Sequence, residues 1–184
     1  MADGDRERWN ARYQAESGYD FTPPAWLVEL GPRIAPSRPD ALALDLASGP
    51  GRNALFLARL GYRVDAWDIS DVALDLLRRQ LDGSLSVVAR QVDLEHVTLP
   101  LEAYDLVLDA HYLDRALLPG LARALRPGGM LVIHTFLQPP GGHYNPAYAL
   151  EPGELRRAFA ALTELEHYED VAREEAHLVA RRDH

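Results

Sequence analysis

The chain has 184 residues, no cysteine and a formal net charge of −9, with 47% hydrophobic and 26% charged residues. That is an ordinary globular composition with material for one domain. The charge argues against a nucleic-acid phosphate surface, and the missing cysteines exclude disulfides, thiolate metal ligands and cysteine nucleophiles. No apolar run approaches the ~20 residues of a membrane span. The highly charged first ten residues lack an apolar signal core, so the expected location is cytoplasmic and no membrane partner is expected.

Residues 5–16 read as a polar helix with Trp9 and Tyr13 four apart on one side, ended by Gly18. An appended helix packing one aromatic edge accounts for that pattern. Residues 23–30 suggest a second short helix with proline in its first turn, and the proline-rich stretch 31–40 a connector. Residues 41–46 are a short apolar run without a polar face, which suits a strand buried on both sides. Ser48, Gly49, Pro50 and Gly51 break it, and a helix follows from Arg52 to the stop at Gly61. Strand, glycine turn and helix in that order form a ligand cradle: glycine lets the backbone approach the ligand, and the helix start offers unpaired N–H groups.

A second strand over 62–69 ends at Asp68, and Ser70 or Asp71 caps a helix that runs through Arg79. A third strand over 85–92 leads into Asp93, Leu94 and Glu95, and a fourth over 104–113 carries Asp109, Ala110, His111 and Tyr112 at its carboxyl end. Ligands of open α/β sheets collect at such ends. A helix over 117–125 stops at Arg126-Pro-Gly-Gly-Met130, and a fifth strand follows over 131–136. Residues 138–149 form a glycine- and proline-rich loop bearing His143, Tyr144, Asn145 and Tyr148. A helix over 154–162 and two strands, 165–171 and 176–180, close the chain. The expectation is one α/β domain: a seven-stranded, mostly parallel sheet with the last strand antiparallel and helices on both faces.

The central turn fits two cofactor chemistries. Gly49-Pro-Gly51-Arg-Asn-Ala54 satisfies the G-x-G-x-x-A dinucleotide fingerprint, while Asp45 ahead of it also makes the stretch D-x-x-x-G-x-G. An acid ending the second strand, Asp68, is where either would hydrogen-bond a ribose diol; a helix-capping or turn carboxylate is the plain alternative. Length discriminates, because a nicotinamide dehydrogenase needs a substrate domain with its own acid–base group. Methyl transfer needs less, since the sulfonium methyl is already electrophilic and orientation can supply roughly 7–11 kcal/mol of the barrier.

The D-x-x-x-G-x-G turn, the L-R-P-G-G-x-L-x-I run at 125–133 and the W-N-x-R-Y opening at 9–13 together resemble class I S-adenosylmethionine-dependent methyltransferases. The opening, the G-x-G-R-N turn and the short final hairpin resemble their tellurite-resistance-type small-molecule branch. The resemblance implies a cofactor site made by Trp9, Arg12, Tyr13, Asp45, Ala47, Ser48, Gly49, Gly51, Asn53, Asp68, Ile69, Asp93, Leu94, Asp109 and Ala110. In it Asp93 would accept from the adenine amino group and Leu94 lie against the ring. It also implies a lid, residues 1–36, over a core of 37–184. Asn145-Pro-Ala-Tyr148 imitates the N-P-P-Y signature of amino-nitrogen methyltransferases but follows the fifth strand rather than the fourth, so it reads as a loop over the acceptor pocket.

The acceptor is expected above the carboxyl ends of the first, fourth and fifth strands, walled by His111, Tyr112, His143, Tyr144 and the opening helix. A neutral histidine near its reference pKa of ~6.5 can take a proton from a hydroxyl or amine acceptor, which makes His111 and then His143 the candidate bases. A thiolate or tellurium oxyanion needs none. No metal is expected, because the separations of His111, His134 and His143 match no standard ligand motif. The expected cofactor is S-adenosylmethionine, the partner a small-molecule acceptor, and the assembly a monomer or homodimer. A non-catalytic adenosyl-binding module remains open, and an NAD(P)-dependent oxidoreductase less so.

Overall fold

The computed structural model describes residues 2–16, 18–138 and 144–183. Two helices, α1 (Ala2–Ala15) and α2 (Ala25–Ile34), precede an alternation of β1 (Leu42–Leu46), α3 (Arg52–Arg59), β2 (Arg63–Asp68), α4 (Asp71–Arg78) and β3 (Val87–Gln91). Then come β4 (Tyr104–Ala110), α5 (Leu118–Ala124), β5 (Leu125–Phe136), α6 (Glu154–Ala158), β6 (Thr163–Asp170) and β7 (Glu175–Arg181). The strands form one sheet in the order β3-β2-β1-β4-β5-β7-β6. Only β7 runs against the rest: it is antiparallel to both β5 and β6. The expected seven-stranded α/β class is the observed one. The chain divides into two compact units, Met1–Val97 and Thr98–His184.

In the first unit β1 pairs with β2 and β2 with β3, all parallel. β1 is buried from Ala43 to Leu46, so its apolar run faces protein on both sides, as a central parallel strand must. α3 covers this sheet with Leu55 and Leu57, and α4 with Leu74 and Leu77. α2 extends past its expected end at Leu30 to Ile34, through Gly31 and Pro32. Burial explains the extension: Leu27, Leu30 and Ile34 lie on one buried face, and a β-carbon on Gly31 would stand 3.0 Å from the Phe56 ring. The Tyr62 hydroxyl ties the helix end down by donating to Ile34 O at 2.7 Å.

In the second unit β4 and β5 pair in parallel with a register shift: Tyr104 faces Leu125, but Leu106 faces Met130. Arg126-Pro-Gly-Gly129 is therefore a bulge inside a strand that begins at Leu125, not a turn preceding one at 131. The Gly128 amide donates to Arg182 O and the Arg182 amide to Gly129 O, at 2.8 and 2.9 Å, which stitches the bulge to the end of β7. α6 stops at Ala158, short of the expected 162, because the Phe159 and Leu162 amides close a turn and pairing of β6 begins at Thr163 with Arg181.

The bulge accounts for the Pro-Gly-Gly spacing. A β-carbon on Gly129 would meet Arg126 O at 2.9 Å and Tyr104 O at 3.0 Å, both backbone atoms that cannot swing aside. Gly129→Ala should cost roughly 1–3 kcal/mol in urea unfolding. Gly4→Ala, with nothing within 4 Å on a helix surface, should be neutral or stabilising. Equal stability of the two variants would contradict the packing account of the bulge.

Candidate functional site

The first unit builds its site on the turn after β1. Ala47, Gly49 and Gly51 all have left-handed backbones, with φ of 47°, 54° and 88°. Three such residues in five reverse the chain within a very short span. The Asp68 carboxylate at the end of β2 holds this turn: Oδ2 accepts from the Gly49 amide at 2.7 Å and Oδ1 from the Ser70 amide at 2.8 Å. Burial pushes the Asp68 carboxyl up, opposed by hydrogen bonds from the Ser70, Gly49 and Ile69 backbone. The Ser48 amide donates to Trp67 O and the Gly51 amide to Ser48 O. With those amides engaged, the N–H groups a helix cannot satisfy by itself are the first-turn amides of α3, at Arg52, Asn53 and Ala54.

The two glycines have different jobs. A β-carbon on Gly51 would run into the Leu77 side chain, so this glycine seats the turn against α4. One on Gly49 would come within 2.9 Å of the Tyr13 hydroxyl, so there the close neighbour is α1. α1 is fastened by Asn10, whose amide donates to Asp71 Oδ1 at 2.7 Å while its Oδ1 accepts from the Ser70 hydroxyl at 2.6 Å. Ser70 is thus both the cap of α4, accepting from the Ala73 amide, and the anchor of α1. Trp9 and Tyr13 stack at 5.9 Å, and Tyr13 meets Tyr19 edge-on at 6.3 Å. Burial, and then the Asp68 charge, push the Tyr13 phenol well above its ordinary range.

The second unit gathers rings at the carboxyl end of β4. His111 is exposed and its backbone is left-handed, at φ 64°, a strain worth on the order of 1–3 kcal/mol for a residue with a β-carbon. Its amide donates to His134 O at 2.9 Å. Its ring stacks on Phe136 at 4.8 Å and meets His134 edge-on at 5.4 Å. Phe136 in turn stacks on Tyr144 at 4.4 Å. His134 is buried on β5 opposite His177 of β7. Burial, then His111 and His177, push it down to about 4, so it is neutral at pH 7. Asp109, 2% exposed, accepts from the Tyr112 amide at 3.3 Å.

These features have a known setting. Residues 43–129 match the family model described as a methyltransferase domain. The fold is similar to that of S-adenosylmethionine-dependent methyltransferases of known structure. The structure of TehB from Haemophilus influenzae superposes with a TM-score of 0.75 at 18% identity, over 97% of this chain and 67% of that one. A structure described as "Conversion of a Disulfide Bond into a Thioacetal Group during Echinomycin Biosynthesis" gives 0.71 at 26% identity, over 97% and 93%. A demethylmenaquinone methyltransferase of Clavibacter sepedonicus is 32% identical over 120 residues, 62% of this chain and 49% of that protein. The chain thus spans about half the length of this curated relative.

The cradle suits a polar ligand. Ser48 Oγ and Asn53 Oδ1, flanking the two glycines, are buried without a hydrogen-bond partner, and such groups call for a polar ligand. Asp45, Ala47, Ser48, Gly49, Gly51, Asn53, Asp68 and Ile69 all lie at this turn or the end of β2. Arg12 instead sits over the Trp9 ring at 5.2 Å and pairs with Glu16 at 3.3 Å. Asp93 accepts from the Glu95 amide and lies 2.8 Å from His96 Nδ1, next to buried Leu94. Asp93, Glu95 and His96 are the one group of three metal-ligating side chains among the described residues, at an exposed turn.

Asp109 and Ala110 end β4 in the second unit, beside His111. His143 lies outside the described residues. Asn10, Phe136 and His177 were not among the expected site residues. Asn10 stands in the W-N-x-R-Y pattern, but the contacts of Phe136 and His177 depend on strand register, which no local motif encodes.

Burial, opposed by the Tyr112 amide, pushes the Asp109 carboxyl up to about 8 from 3.8. The folded protein therefore holds a proton that the unfolded chain releases, and this group lowers stability as pH rises from 3.8 to about 8. Asp109→Asn keeps the acceptor for Tyr112 and removes the charge. Its stability relative to the parent should rise steadily between those limits, by more than about 1.4 kcal/mol, the worth of one pKa unit. A pH-independent difference in denaturation midpoints would place a charged Asp109 in the fold.

Proposed function

We propose that the protein transfers the methyl group of S-adenosylmethionine to a small-molecule acceptor. The observation that carries this reading is the Asp68–Gly49 hydrogen bond, which sets a ribose-binding acid against a glycine turn whose Ser48 Oγ and Asn53 Oδ1 are buried without partners. In this reading Asp68 accepts from the ribose hydroxyls, the turn from Asp45 to Asn53 receives the amino-acid end, and Asp93 and Leu94 receive the adenine. Residues 1–36, with Trp9, Arg12 and Tyr13, act as a lid on a core of 37–184. Bound cofactor supplies an electrophilic methyl, and the chain's own task is to orient the acceptor and, where it has a proton, remove it. His111 is the proposed base and His143 the second candidate. The relatives' names, a demethylmenaquinone methyltransferase among them, support a small organic acceptor. The absence of cysteine and the charge of −9 support a cytoplasmic enzyme without nucleic-acid partners; the proposed assembly is a monomer or homodimer.

S-adenosylmethionine and S-adenosylhomocysteine should raise the melting temperature, and NAD should not; stabilisation by NAD alone would overturn the reading. Asp68→Ala should weaken S-adenosylhomocysteine by on the order of 10- to 100-fold in calorimetry, the loss of one or two hydrogen bonds to a charged group. An unchanged constant in a folded variant would leave Asp68 a turn residue only.

Once an acceptor is found, His111→Ala should lower turnover on a hydroxyl or amine substrate by roughly 100-fold or more. Parental rates from pH 6 to 9 would mean that the site works by positioning alone.

A further inference from the structure

We propose that Asn10 is a positioning residue for the cofactor: its bridge from α1 to Ser70 and Asp71 holds Tyr13 against the glycine turn and so retains bound S-adenosylmethionine. The proposal rests on the methyl-transfer reading and names the side chain that governs cofactor retention at that site.

The contacts around the turn close on themselves. The Gly49 amide donates to Asp68 Oδ2 at 2.7 Å, and Asp68 Oδ1 accepts from the Ser70 amide at 2.8 Å. The Ser70 hydroxyl donates to Asn10 Oδ1 at 2.6 Å, and Asn10 Nδ2 donates to Asp71 Oδ1 at 2.7 Å. Three residues further along α1, on the same side of the helix, comes Tyr13. Its hydroxyl stands 2.9 Å from the position a Gly49 β-carbon would take. The circuit starts and ends at Gly49, and Asn10 is the link through which α1 joins it. All of its members belong to the first compact unit.

The side of the turn that α1 borders is the side a ligand can use. Leu77 fills the space beside Gly51, whereas the space beside Gly49 is bounded by the Tyr13 hydroxyl. Ser48 Oγ and Asn53 Oδ1 are buried in the same turn without hydrogen-bond partners, the residues being 8% and 7% exposed. Burial and then the Asp68 charge keep the Tyr13 phenol protonated. It therefore stands beside the ribose-binding acid as a neutral hydroxyl, without charge repulsion.

The chemistry of the bridge calls for a side-chain amide at position 10. The Ser70 hydroxyl accepts from the Ala73 amide and has one proton, which goes to Asn10, so Asn10 must accept there. The Asp71 carboxylate offers only acceptors, so Asn10 must donate on that side. A carboxylate at position 10 would serve Ser70 but face Asp71 with a like charge. Exchanging the two residue types, acid at 10 and amide at 71, restores both bonds with the donor and acceptor reversed.

The test combines calorimetry with S-adenosylhomocysteine and hydrogen exchange of the α1 amides. Asn10→Ala should weaken S-adenosylhomocysteine by about 5- to 30-fold, from the loss of two hydrogen bonds of which one is to a charged group. Alanine favours helix more than asparagine does, so unravelling of α1 cannot account for that loss. The α1 amides of this variant should exchange about threefold faster or more, even without ligand. Asn10→Asp should bind no better than Asn10→Ala, while Asn10→Asp combined with Asp71→Asn should return to within about threefold of the parent. Glu7→Ala, at an exposed position of the same helix, should stay within about twofold of the parent. The inference is overturned if Asn10→Ala binds as tightly as the parent, if its α1 exchange is unchanged, or if the double variant stays as weak as Asn10→Asp. Failure of the parent itself to bind S-adenosylhomocysteine would instead strike the methyl-transfer reading.

Discussion

The Asp68 carboxylate ties the glycine turn after β1 to the start of α4. One oxygen takes the Gly49 amide, 19 residues upstream, and the other takes the Ser70 amide at the start of α4. The turn it shapes contains three left-handed residues and would otherwise be expensive to keep in one conformation. Because the group is 7% exposed, its hydrogen bonds act in a low dielectric and are strong, yet removing either donor would leave a buried charge uncompensated. A carboxylate has about four lone-pair sites, so the Gly49, Ser70 and Ile69 amides do not saturate it. The residue that fixes the shape of the cradle thus retains capacity for a ligand hydroxyl.

α1 depends on the same knot at one remove. Its anchor, Asn10, reaches Ser70 and Asp71, and its Tyr13 hydroxyl lies against Gly49. The helix has a polar sequence, and Asp5, Arg8 and Arg12 pair or stack along its surface, Arg12 with Glu16 just beyond its end. The second unit contains a histidine forced into a left-handed turn by two amide hydrogen bonds, with its ring fixed by a stacked phenylalanine.

Much of this was legible in the residues because the signals are local. The strand, turn and helix around Gly49, the cap at Ser70 and the final antiparallel strand follow from periodicity, glycine placement and capping chemistry. What was hidden depends on contacts between distant segments. α2 continues through Gly31-Pro32 because Phe56, 25 positions later, fills the space over the glycine. Pro-Gly-Gly at 127–129 looks like a helix stop, but pairing with Arg182 makes it a bulge in β5. The reading of Gly51 as a residue that admits a ligand misses Leu77, which occupies that side of the turn. The histidines gathered at the end of β4 likewise require knowing that Ala110 pairs with His134 and His134 with His177. Strand register decides these neighbours, and no motif within a strand states it.

The central claim is that Asp68 both shapes the turn and receives the cofactor. A crystal structure of the complex with S-adenosylhomocysteine tests it most directly. The account predicts that Asp68 Oδ2 keeps the Gly49 amide near its present 2.7 Å while the carboxylate also accepts from a ribose hydroxyl. Finding the ribose elsewhere, with Asp68 bonded to backbone amides alone, would contradict it.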